Sequence, residues 1–175
     1  FYPVAFPEEV KEASKENDID PLLILSVMRE ESRFDTEARS IAGALGLMQL
    51  MPHTAQKIGK YVKISLKNSS QLYDARTNIL IGSYYLKHLI KTFNSIPIAI
   101  AAYNAGENTV RDWLKKQRYS TIDEFIEDIP YDETRNYVKR VLTTYFEYIR
   151  ANKDIDVSAA KSISEIFNLT FIQNK

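Results

Sequence analysis

The sequence contains no cysteine, which removes disulfides, thiolate metal sites and thiol nucleophiles together. The redox compartment stays open, because a domain with an adequate core stands in an oxidising space without disulfides. Net charge is absent too: 23 lysine and arginine residues face 23 aspartate and glutamate residues. Such a balance argues against nucleic acid or an anionic membrane surface as the main partner, since both call for a basic excess or patch. No apolar run approaches the roughly 18–20 residues that span a bilayer. The longest, Ile96 to Tyr103, is short and contains Pro97. His53 and His88 are far apart, with no His-Glu-x-x-His pattern, so no metal site is expected. Phosphate-loop, Gly-x-Ser-x-Gly and calcium-loop patterns are missing as well, and no cofactor is expected. Glycine is scarce at five residues, and three of these (Gly43, Gly46, Gly106) fall in two short motifs.

What is present is ordinary globular composition, 45% hydrophobic and 26% charged over 175 residues, enough for one domain with a proper core. The chain begins at Phe1 with no methionine and no charged-then-apolar leader, so a mature or trimmed product is expected. Helical periodicity dominates. It predicts helices over 7–16, with Pro7 as first helical residue, and over 21–33, opened by Asp20-Pro21. Further helices are predicted over 52–59, 74–93, 96–105, 107–116, 121–128 (capping sequence Thr-Ile-Asp-Glu), 132–152 and 158–168. Residues 35–46 read as a loop with two glycines. The one strand signal is a small ribbon around Tyr61 to Leu66. The fold class is therefore all-α, in a single compact helical domain.

A carboxylate on the second helix stands out. With Ile24 as origin and about 100° per residue, Val27, Met28 and Glu31 fall on one side. Arg29, Arg33 and Ser26 lie roughly opposite. Glu30 falls between the faces, where Arg33 at i+3 can pair with it for a few tenths of a kcal/mol. Glu31 instead points where the apolar residues point. A desolvated carboxylate has a raised pKa, as a general acid at neutral pH requires. The plain alternative is that Glu31 satisfies loop backbone amides from residues 40 to 46. From the helical wheel alone both readings stand.

Four motifs then occur in order: Glu31-Ser32; Gly46-Leu47-Met48-Gln49-Leu50-Met51-Pro52, with Thr54-Ala55 behind it; Ala102-Tyr103-Asn104-Ala105-Gly106; and Ile129-Pro130-Tyr131-Asp132-Glu133-Thr134-Arg135-Asn136-Tyr137-Val138. Together they resemble the catalytic domain of the soluble lytic murein transglycosylase family, within the lysozyme superfamily. The resemblance runs from about Phe1 to Arg150. It implies a catalytic domain over 1–150 with a substrate cleft, followed by a C-terminal helical extension over 151–175 packed on it. The lysozyme-like superfamily is α+β, here with little or no strand.

The implied activity is cleavage of the β-1,4 bond between N-acetylmuramic acid and N-acetylglucosamine without water, leaving a 1,6-anhydro product. Glu31 is the implied acid, then base. The residues agree with a one-carboxylate scheme. Two-carboxylate glycosidases space their pair about 5–5.5 Å or about 6.5–9.5 Å apart, whereas an N-acetyl group acting as internal nucleophile needs only one carboxylate. Asp35, one turn on, reads as a helix end leading into the loop.

The remaining residues are expected to supply geometry. Gly43, Gly46 and Gly106 permit positive φ or close approach to a sugar; plain loop-making explains them too. Gln49 offers amide groups to sugar hydroxyls or an acetamido group, and Met51 a soft apolar wall or a core residue. By resemblance, Gln49 and Met51 line the cleft and Tyr103 contacts substrate, while Asn104 binds substrate or caps its helix. Glu133 and Tyr137, at i and i+4, are implied to bind saccharide or assist the Glu31 region; Glu133 also complements a helix N-terminus. Ser32 is expected to orient the site. Tyr84, Tyr85, Tyr145 and Tyr148 are expected in packing. The implied partner is the peptidoglycan glycan strand, with other cell-wall enzymes or an N-terminal helical region as further contacts. The implied compartment is the periplasm or cell envelope. Two rival readings are a goose-type lysozyme-like hydrolase and an inactive peptidoglycan-binding module.

Overall fold

Proline opens four of the helices. Pro7, Pro21, Pro52 and Pro97 each occupy the first or second helical position, where the missing N–H has no intrahelical partner to lose. The computed structural model describes residues 2–152. Among these it has eight α-helices, two short 3-10 helices and no strand. By chain contacts it divides into two units, Phe1–Lys87 and His88–Lys175.

The first unit holds α1 (Pro7–Asn17), α2 (Pro21–Ser32), α3 (Pro52–Gly59) and the first part of α4 (Ala75–Phe93). Asp20 caps α2, accepting a hydrogen bond from the Leu22 amide at 2.8 Å, which typically contributes about 1 kcal/mol. Leu23, Ile24, Val27 and Met28 of α2 and Ile79, Ile81 and Leu86 of α4 are almost wholly buried. Polar ties hold α1 to α4. The buried Asn17 amide donates to the Leu80 carbonyl (3.1 Å) and the Ser83 hydroxyl (2.8 Å). Arg76 pairs with Glu12, and Lys87 with Asp18.

The second unit centres on α5 (Ile96–Ala105), whose residues Pro97 to Ala102 are all buried. A helix apolar all round must be enclosed, and α5 packs against α6 (Glu107–Lys116) and α8 (Asp132–Ala151), with α7 (Ile122–Glu127) also on α8. The inward face of α8 is Val138, Val141, Leu142, Tyr145 and Tyr148, at the spacing of one helical stripe. Thr121 caps α7, accepting from the Glu124 amide at 3.2 Å, while the Glu124 carboxylate accepts from the Ser120 amide.

The helices expected up to residue 152 are found within one or two residues of their predicted ends. The helix expected over 158–168 and nearly all of the 151–175 extension lie outside the described residues. Two local expectations are corrected. No ribbon forms around Tyr61 to Leu66: Lys60–Val62 is a 3-10 turn, and the Ile64 amide folds back to the Gly59 carbonyl at 2.8 Å. The antiparallel bridges lie instead at Arg39–Leu45 and Leu45–Leu50. Arg33 does not pair with Glu30. The helix stops at Ser32 and Arg33 turns left-handed (φ 54°), so Glu30 pairs with Arg29 at 3.3 Å.

At the start of α6, burial pushes the Glu107 carboxyl up. Hydrogen bonds from Arg111 and His88, and their charges, outweigh this and hold its pKa below the ordinary 4.5. A carboxylate with a depressed folded pKa contributes stability above its unfolded pKa and loses it as pH falls through the folded value. Acid unfolding below about pH 4.5 should therefore be shallower in Glu107→Gln than in the parent, measured by urea denaturation across that range. Parallel curves would show that the cluster contributes nothing.

Candidate active site

Glu31 ends the buried stripe of α2. Ile24, Val27 and Met28 are fully buried, and Glu31, next on that face, is half-buried. The helix stops one residue later because Arg33 and Phe34 both take left-handed conformations (φ 54° and 67°). Glu31 thus stands in the last turn of α2, just before the chain enters residues 35–51. Asp35 is exposed, and its carboxylate accepts from the Glu37 amide at 2.9 Å, a local turn contact.

The loop after α2 is held by its own hydrogen bonds. The Leu45 and Leu50 backbones exchange a pair at 3.0 Å each, and the Gly46 amide donates to the Ala38 carbonyl at 2.8 Å. Ser40 and Ala44 close a tight turn whose tip, Ile41, is fully exposed. The amides of Ser40, Gly43, Ala44, Leu45 and Gly46 all donate within this loop, so it does not depend on Glu31 for them. Ser32 joins helix to loop: its hydroxyl lies 2.8 Å from the Leu47 carbonyl and 3.1 Å from that of Met28. Gln49 has a left-handed backbone (φ 50°) and its amide nitrogen donates to the Ala38 and Gly46 carbonyls. The donor side of Gln49 is therefore used in shaping the loop. Met51 is 43% exposed, so it is not a core residue, whereas Leu47 and Met48 are fully buried.

Two residues of α4 seat this loop, and neither stands out in the sequence as a site residue. The buried Asn78 amide donates to the Leu45 (3.0 Å) and Leu72 (2.8 Å) carbonyls and accepts from the Met48 amide (2.7 Å). One turn on, Gly82 leaves room for Met48; a Cβ there would meet its sulfur at 2.5 Å and its Cβ at 2.8 Å. Gly46 completes the fit: its φ of 75° suits glycine, and a Cβ would collide with the Leu72 carbonyl and the Asn78 amide. The available signal is Asn and Gly four apart among apolar residues in the first half of an amphipathic helix, where both weaken the helix and so point to a packing reason.

In the second unit, Tyr103 and Asn104 are half-buried in the last turn of α5. Gly106 (φ 98°, ψ 143°) breaks the helix there, and its amide caps the Ala102 carbonyl. The Asn104 side-chain oxygen accepts from the buried Thr134 hydroxyl at 2.7 Å, tying the end of α5 to the first turn of α8. Glu133, beside Thr134, is exposed, while Tyr137 is only 3% exposed. Although i and i+4, the two differ in surroundings. The structure thus groups Glu31, Ser32, Gly43, Gly46 and Gln49 within the first unit, and Tyr103, Asn104 and Gly106 with the start of α8 in the second.

Residues 8–126 match the model of the family described as the Transglycosylase SLT domain. A soluble lytic murein transglycosylase from Escherichia coli K12 is 37% identical over 166 residues, covering 91% of this chain and 26% of that protein. Among solved structures, an inactive mutant of the lytic transglycosylase Slt from Pseudomonas aeruginosa has a TM-score of 0.80 at 39% identity, covering 86% of this chain and 25% of the other. A complex of the 70-kDa soluble lytic transglycosylase with bulgecin A has a TM-score of 0.81 at 35% identity, covering 94% and 27%. Fold and sequence agree on one class, the helical lytic transglycosylase domain. The chain belongs to the transglycosylase SLT domain family. It spans about a quarter of the length of the relatives it matches.

The Asn78 contacts predict that Asn78→Ala destabilises the protein by roughly 2–4 kcal/mol, since the buried Leu72 carbonyl and Met48 amide lose this partner. Urea unfolding measures it; a change within about 0.5 kcal/mol would show that the loop is held by other means.

Proposed function

We propose that this chain, over residues 1–150, is the catalytic module of a peptidoglycan lytic transglycosylase, acting on the β-1,4 bond between N-acetylmuramic acid and N-acetylglucosamine. The observation that carries the reading is Glu31, a half-buried carboxylate at the end of an apolar helical stripe, beside a loop joined to that helix through Ser32. In support, the inactive mutant of the Pseudomonas protein replaces a glutamate with glutamine.

In the proposed reaction Glu31 starts protonated and gives its proton to the glycosidic oxygen. The bond from the muramic acid C1 breaks, and N-acetylglucosamine leaves as the C4 alcohol. Positive charge at C1 is shared by the substrate's own N-acetyl oxygen. Glu31, now a carboxylate, takes the proton of the C6 hydroxyl, and that oxygen bonds to C1. Glu31 ends protonated, as it began, and no water is consumed.

The supporting roles follow from what each side chain has left to offer. Ser32 orients the helix end. The Gln49 donors being engaged in the loop, its side-chain oxygen is the group for a sugar hydroxyl or acetamido N–H. Met51 offers an exposed apolar wall. Tyr103 and Asn104 bind saccharide from the end of α5, Glu133 adds an exposed carboxylate, and Tyr137 acts as a positioning group. Gly43 and Gly106 let backbone approach a sugar closely, while Gly46 serves the site by seating the loop on Asn78. Soluble and membrane-bound murein transglycosylases among the relatives support the cell envelope or periplasm as the compartment.

Mass spectrometry of purified sacculi digested with the protein should show muropeptides one water lighter than their reducing counterparts. Reducing-end products would replace this reading with a hydrolytic muramidase, and binding without products with an inactive module. Glu31→Gln should lower turnover by about 10²–10⁴-fold with its melting temperature retained; undiminished lysis would remove Glu31 from the mechanism.

A further inference from the structure

Zero net charge conceals a strong segregation. Between Glu37 and Asp74 the sequence has no acidic residue, but it has Arg39, Lys57, Lys60, Lys63 and Lys67. The four lysines are all exposed. Arg76 pairs with Glu12 and Lys87 with Asp18, whereas among the described residues no carboxylate pairs with these four lysines. Lys57 and Lys60 are three apart on the continuous turn of α3 and Lys60–Val62, so they are neighbours on one face. The Lys63 amide folds back to the Lys60 carbonyl, which keeps the third lysine within one turn. Gly59 permits this tight reversal, because a Cβ there would meet the Ile64 carbonyl at 2.6 Å. An aromatic pair borders the lysines. Tyr61, 60% exposed, stacks parallel on Tyr84 at 5.5 Å, and the Lys60 ammonium lies 5.1 Å from the Tyr61 ring centre.

We propose that this face binds the carboxylates of peptide stems on the same peptidoglycan strand that the active site cleaves; the proposal rests on the function proposed above. Placement supports this occupant. Pro52, the first residue of α3, directly follows Met51, so Lys57 and Lys60 lie about 9–14 Å along the chain from Met51 at 1.5 Å per helical residue. A stem carried by a sugar beside Met51 can reach them, and the Tyr61 ring offers an apolar surface to stem or sugar. Exposed lysines attract carboxylates over about 10 Å at moderate salt, so the face adds salt-dependent affinity and leaves the chemical step alone.

The test uses the full chain with Lys57, Lys60 and Lys63 all replaced by glutamine. In a Glu31→Gln background, which prevents digestion, co-sedimentation with purified sacculi should weaken about tenfold at low salt, about 1.4 kcal/mol. The parent face should lose affinity steeply between about 0.05 and 0.3 M salt, and the substituted one much less. With Glu31 intact, the KM for stem-bearing strands should rise about tenfold, equivalent to about 1.4 kcal/mol, with kcat unchanged. On strands stripped of stems the two proteins should act alike. Equal sedimentation of both proteins overturns the proposal. So does an equal loss on stripped strands, which would mean the face reads sugar. Binding of the parent to phosphatidylglycerol vesicles or to single-stranded DNA but not to sacculi overturns it in favour of that polyanion. If no substrate is cleaved, the proposed function fails while the sedimentation result still decides the face.

Discussion

The site in the first unit depends on one buried amide. Asn78 donates to two carbonyls and accepts from one amide of the loop and the turn beside it, so all the hydrogen-bonding capacity it shows is directed at irregular backbone. Loops with buried backbone polar groups are ordinarily unfavourable, since each unpaired group loses its water. Here a side chain on a regular helix takes the place of that water, and Leu45 through Met48 can be buried against it. Gly46 and Gly82 are consequences of the same close approach: one lets the loop backbone reach Asn78, the other lets Met48 enter the helix surface. The position of the Ser32–Leu47 contact, and with it the end of α2, follows from that seating.

The string from Gly46 to Pro52 divides its labour residue by residue. Leu47 and Met48 anchor it inward, Gln49 shapes it, and Met51 faces out. The glutamate beside it needs no second carboxylate if the substrate supplies its own nucleophile, which suits a site where Asp35 is exposed and engaged in its own turn. A hydrogen-bonded loop beside a half-buried carboxyl is the kind of frame that the proposed general acid catalysis calls for.

Charge shows how a sum can mislead. Equal numbers of acids and bases suggest binding through hydrogen bonds and apolar faces alone. The arrangement is uneven: α1 and the 107–133 segment are rich in acids, while 38–73 has none. Pairing across helices neutralises Arg76 and Lys87 but leaves the lysines of α3 and its following turn facing water. Electrostatic attraction depends on local spacing within a Debye length of about 8–10 Å, so the local count bears on ligands and the total does not.

The sequence by itself determined the helices. Proline at helix starts, capping by Asp20 and Thr121, and the 3.6-residue apolar period of α2 and α8 are all local, set by neighbours within a turn or two. The same local periodicity is enough to place Glu31 on the apolar stripe of its helix. The left-handed stop at Arg33, which cancels the expected Glu30 pairing, shows the limit of that locality: a helical wheel assumes the helix goes on. Only the tertiary structure decided that Tyr137 is buried while Glu133 is exposed, that the Gln49 donors are engaged, and that Asn78 and Gly82 seat the loop. These outcomes depend on contacts between residues distant in sequence, on the path of a loop, or on which flank of a helix is covered. No local pattern carries that information, because burial and hydrogen-bond partners belong to the packed chain and not to the segment.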